Sequence, residues 1–150
     1  MSESKLSQLQ YESDTWKRLL GFMRDENIHL KNMLSEVLKN KFDNNLLEEA
    51  ESFHNSFLKE DDLIGLLRNE VAELDKLLER RKFEDSKTIN EIDKRKAKLH
   101  DNIITAETQF SNLKSAFNNY LSGINNSNKN QGKLIHSRFE ITPRRYFKRF

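Results

Sequence analysis

Between residues 1 and 122 the chain has no proline and only two glycines, Gly21 and Gly65, and its apolar residues recur three and four positions apart. A long stretch without helix breakers and with that period is committed to amphipathic helix. The cleanest run is Ile89, Ile92, Lys96, Leu99, Ile103, Ala106, Phe110, Leu113, Phe117 and Tyr120, in which threes and fours alternate without a slip. A seam this narrow packs against other helices. It specifies a packing surface and carries no chemistry of its own.

Two earlier segments show the same pattern. The first runs from about Ser4 to about Lys39 with a seam of Leu9, Trp16, Leu20, Met23, Asn27, Leu30, Leu34 and Val37, widened by Leu19, Phe22 and Met33. The polar stretch Lys41 to Asn45 ends it, since Asn and Asp bond their own backbone in turns, and Asn45 with Glu48 forms a capping-box pattern for the next helix. That second helix carries Leu46, Ala50, Phe53, Phe57, Glu60, Ile64, Leu67, Val71, Leu74 and Leu78 and ends near Arg81. Between Arg81 and Thr88 no glycine or proline forces a break, and the eleven-residue step from Leu78 to Ile89 fits a loop or a stutter in one continuous helix. The loop is favoured, because an unbroken helix from Asn45 to Leu121 would be about 115 Å long and would need a partner chain to cover half of its seam. The expected fold is all-α: an up-down-up, coiled-coil-like bundle of three long antiparallel helices over residues 1–122. A flexible linker and a basic, aromatic tail follow over residues 123–150, the third helix stopping at Gly123.

Charged residues make up 33% of the chain and hydrophobic ones 35%, the balance expected when each helix buries one stripe and wets the rest. There is no cysteine, so disulfides and thiol catalysis are excluded. The first ten residues contain one Lys and no apolar run, and nothing approaches a membrane span. The expectation is a soluble, cytoplasmic protein. Seven Lys and Arg against one acid give residues 123–150 a charge of +6, and with +2 for the whole chain the first 122 residues carry −4. An acidic body bears a basic tail.

Chemistry-bearing patterns are few. Glu26 with His29 and Glu51 with His54 are two Glu-x-x-His spacings on the first two helices, each placing a carboxylate and an imidazole on one helix face. Folding about the turn near Phe42 brings the two histidines to one level, with Glu60 and Glu107 within about two turns. This set resembles part of the ligand set of ferritin-like di-metal carboxylate proteins, and the resemblance implies a metal held by Glu26, His29, Glu51, His54, Glu60 and Glu107. That family uses four helices, however, and here Glu51 lies opposite its own seam. No Gly-rich phosphate loop, GxSxG motif or triad spacing occurs, so no enzymatic activity and no cofactor are expected.

The polar seam residues Asn27, Glu60 and Lys96 read as register control, since a buried polar group must find a partner. Gly21 and Gly65 fall at nearly one level and read as surface glycines. The expected function is non-catalytic: a helical interaction or scaffold protein binding another protein through exposed helix faces and the tail, with self-association. The surface assigned to the partner is Leu19, Phe22, Glu26, His29 and Met33 with Phe139, Arg144, Arg145, Tyr146, Phe147, Lys148, Arg149 and Phe150. Two alternatives stand beside it. One is the ferritin-like metal protein, and the other is binding of nucleic acid or an anionic membrane surface through the tail, whose cations and rings suit phosphates.

Overall fold

A computed structural model describes residues 3–39, 44–80 and 86–127. Three helices account for all of these except Lys39 and Arg80: α1, Glu3–Leu38; α2, Asn44–Glu79; and α3, Ser86–Ser127. Helices of 36, 36 and 42 residues span about 54, 54 and 63 Å. At the ends of α1 and α2 the amides of Lys39 and Arg80 donate to the carbonyls of Glu36 and Leu77, a tighter last turn that satisfies terminal carbonyls. Residues 40–43 and 81–85, where the chain is expected to turn, and the tail residues 128–150 lie outside the described residues.

The helices pack as an antiparallel bundle. Ser13 reaches Asp75 and Asn27 reaches Asp61, so α1 and α2 run in opposite directions. Tyr120 reaches Leu46 and Phe117 meets Phe57, so α3 reverses again. Lys5 with Asp93 and Trp16 with His100 place α3 parallel to α1. The loop reading between the second and third helices therefore holds.

The three seams form one core. Trp16, Leu20, Met23, Leu30 and Leu34 of α1 meet Phe57, Ile64, Leu67 and Val71 of α2 and Ile103, Phe110 and Phe117 of α3, all buried. Burying each such side chain contributes about 1.5–3 kcal/mol, which is what holds helices whose isolated stability in water is marginal. Toward the α1–α2 turn, four rings concentrate this term. Phe57 and Phe117 meet edge-on with centroids 5.1 Å apart, and Phe53 lies 5.2 Å from Phe117 and 5.1 Å from Tyr120. The Tyr120 hydroxyl donates to the Leu46 carbonyl at 2.9 Å, so its polar end is satisfied inside the cluster.

Two boundaries depart from the sequence reading. Gly123 does not stop α3, which continues to Ser127 because Leu121 and Ile124 are buried on the seam and outweigh a mid-helix glycine worth about 1 kcal/mol. The second helix begins at Asn44, so Asn45, expected at its cap, lies inside its first turn. Among the described residues no helix is long and apolar enough to cross a membrane.

Candidate functional site

Midway along the bundle the core becomes polar. Asn27 on α1 is fully buried; its amide nitrogen donates to the Phe57 carbonyl at 2.9 Å and to the Asp61 carboxylate at 2.7 Å. Lys31, one turn on, donates to the other Asp61 oxygen at 2.5 Å. A bonded Asn in this position fixes the register of α1 against α2, because sliding either helix would strand the amide in the core. Glu60, beside Asp61, is 8% exposed, and Glu107 on α3 is 6% exposed; one oxygen of each has no hydrogen-bond partner among the described residues. Burial, and then the Asp61 charge, pushes the Glu60 carboxyl up to about 6, and burial alone pushes Glu107 up to about 7. Lys114 is buried too, its ammonium 5.6 Å from the centre of the Phe110 ring.

This layer does not assemble a metal site. Among the described residues no group of three His, Asp or Glu side chains is placed to hold an ion. His29, Glu51 and His54 point to solvent, Glu26 is half-buried, and only Glu60 and Glu107 face inward. Three-residue spacing puts Glu and His on one face, but on α1 and α2 those faces turn away from the core.

The proposed partner surface is partly dismantled by the third helix. Leu19 and Met33 are core residues, 2% and 0% exposed, because α3 packs against the flank of α1 that they occupy. Phe22 and His29 are exposed beside half-buried Glu26. Phe139, Arg144, Arg145, Tyr146, Phe147, Lys148, Arg149 and Phe150 lie outside the described residues.

Flanking positions reveal two outer edges. Residues one place before an α1 seam position face α3: Lys5 pairs with Asp93, and Glu12 pairs with Lys96 at 3.1 Å. Lys96, expected in the core, is therefore half-buried at its margin. Phe22 precedes core Met23 and so lies on this α1/α3 edge, 51% exposed, three turns above Tyr11, which is 63% exposed. Across from them Ile104 follows core Ile103, as His100 follows Leu99 and meets Trp16. Residues one place after a seam position in α1 and α2 share the opposite edge. Lys17 pairs there with Asp75, which holds the lysine above its usual pKa mainly through that hydrogen bond, and Lys31 pairs with Asp61. Exposed Ile28 and Leu58 share this edge.

A surface hollow of about 370 Å³ between α2 and α3 is lined by Glu70, Lys94, Arg95, Lys98 and Leu99. Only Leu99 of these is buried, so no buried polar group is positioned to grip a ligand. The ion pairs between helices were not anticipated from the sequence. Their signal was available: a charge one position from a seam residue, repeated at matching levels on two helices. No protein-family model, curated protein or solved structure matches the chain.

Proposed function

We propose that this chain is a non-catalytic helical interaction protein that binds another protein through the α1/α3 edge carrying Tyr11, Phe22 and Ile104, with its basic C-terminal segment as a second contact. The observation that supports this reading is large apolar area left outside a core that is already filled. Tyr11 and Phe22 are each more than half exposed, three turns apart on one line, while every interior level has its own buried side chains. Aromatic side chains rimmed by charges are the usual anchors of a protein contact. The +6 charge of residues 123–150 suits an acidic partner.

The test is a photocrosslinking residue placed at Tyr11 or Ile104 of the full chain in cells, with exposed Ser115 as the control position. The same protein should be captured at both test positions and not at Ser115, and the Tyr11→Glu variant should lose it. Capture that disappears on nuclease treatment would move the function to nucleic acid. Equal capture at all three positions would remove the edge from consideration.

A further inference from the structure

We infer that the chain's own C-terminal segment, residues 133–150, seats in the groove between α1 and α3 and covers the edge read above as the partner's. The seating stands independently of that reading; only its consequence, that a partner must displace the segment, rests on it. The two outer edges of α1 are built from different residues. Toward α2 the positions that follow the seam are Lys17, Arg24 and Lys31, and the pairs Lys17–Asp75 and Lys31–Asp61 close that edge. Toward α3 the flanking positions at the same seven-residue spacing are Thr15, Phe22 and His29, with Ile104, Ser111 and Asn118 on the other wall. None of the six is Lys, Arg, Asp or Glu in a chain that is 33% charged. A rim without charge loses little when it leaves water, and Phe22, 51% exposed, and Ile104, 37% exposed, supply apolar area to bury. Hydrogen-bond acceptors lie on the same flank of α3. One oxygen of Glu107 and the amide oxygen of Asn118 have no partner among the described residues.

The course of the chain decides the occupant. α3 runs parallel to α1 and ends at Ser127, so the residues that follow leave at one mouth of this groove. Ile104 lies about 35 Å back from Ser127 along the helix axis. The chain from Ser127 to Phe139 spans up to about 40 Å, which is enough to bring Phe139 to that level. The segment carries what the groove is built to take: Ile135, Phe139 and Ile141, at even spacing, for the uncharged rim, and donors such as Arg138 for the open acceptors. An attached segment is also presented at about millimolar concentration, so it fills the groove ahead of a free protein at micromolar concentration.

Disulfide trapping in the full chain tests this, since the natural sequence has no cysteine and every link is an engineered one. Ser111→Cys with Ser137→Cys in one chain is compared with Gln109→Cys with Ser137→Cys. Ser111 is half-buried on the α1 side of α3, and exposed Gln109, two places before it, is on the α2 side, so the tether to either is about equally long. With glutathione disulfide and about 1 µM protein, the first pair should link within the chain at least about tenfold faster than the second. Adding Phe139→Glu should slow it to the rate of the second pair. None of the replaced helix residues is in the core, so circular dichroism should show the same helix content in every variant. Equal rates overturn the inference, as does fast linking that Phe139→Glu leaves untouched. Links that form only between chains give the groove to a second copy and overturn it too. Phe139→Glu should also raise capture of a partner by the crosslinker at Tyr11. Fast linking with no capture at Tyr11 sinks the partner reading and leaves the seating in place, whereas capture with equal linking rates does the reverse.

Discussion

Replacing Glu107 with Gln tests the polar layer most directly, because the expected effect depends on pH in a way that simple repacking does not. Glu107 is 6% exposed, one of its oxygens has no partner among the described residues, and burial raises its carboxyl from 4.5 to about 7. An acid whose pKa is higher folded than unfolded binds more protons in the folded state. Its stabilising contribution is complete below about pH 4.5 and is lost as pH rises through the folded value near 7. Each pKa unit is worth about 1.4 kcal/mol, so ionised Glu107 costs the fold about 3 kcal/mol at pH 8, as an upper bound. Gln has nearly the same shape, stays neutral and removes that cost. Urea unfolding followed by circular dichroism should therefore show the variant more stable than the parent by about 2–3 kcal/mol at pH 8 and equal to it within about 1 kcal/mol at pH 4.5. Contributions from the ion pairs are common to both proteins and cancel in the difference. A gain that does not change with pH, or a loss at pH 8, refutes the reasoning.

Glu60→Gln should behave alike on a smaller scale, gaining about 2 kcal/mol with the change centred near pH 6, as the same titration of unfolding curves will show. Phe117→Ala removes a fully buried ring that touches three other rings and should cost about 3–5 kcal/mol in the denaturant midpoint at unchanged slope. Tyr120→Phe should cost about 1 kcal/mol, the net value of the bond to the Leu46 carbonyl, measured by thermal melting. Gly123→Ala meets nothing within 4 Å and should stabilise by up to about 1 kcal/mol; a lower melting temperature would mean that α3 does not continue through this position.

Helical periodicity made α1 legible almost residue for residue, Glu3–Leu38 against an expected 4–39, and it placed Asn27 and Glu60 in the interior. Such a pattern reports which stripe of a helix is buried, but not from which side the third helix arrives. That handedness decides that Leu19 and Met33 are core while Ile28, equally apolar, stays exposed. Gly123 misled because a single glycine is a weak stop when apolar residues continue beyond it. Lys114 was hidden for another reason: its long aliphatic stem lets a cation occupy a seam-edge position that composition marks as solvent. The Glu-x-x-His pairs show the converse limit. Spacing guarantees a shared face and says nothing about where that face points.

Trp16 has a consequence for how assembly can be watched. It is the only tryptophan, it is 2% exposed, and its indole lies 6.5 Å from the His100 ring on α3. The α1–α2 hairpin closes over a short connection and forms its contacts locally, whereas the meeting of residues 16 and 100 requires both chain reversals. Backbone helicity and indole emission therefore time different events in one refolding trace. The first follows helix formation, and the second changes in full only when the last helix seals against the first.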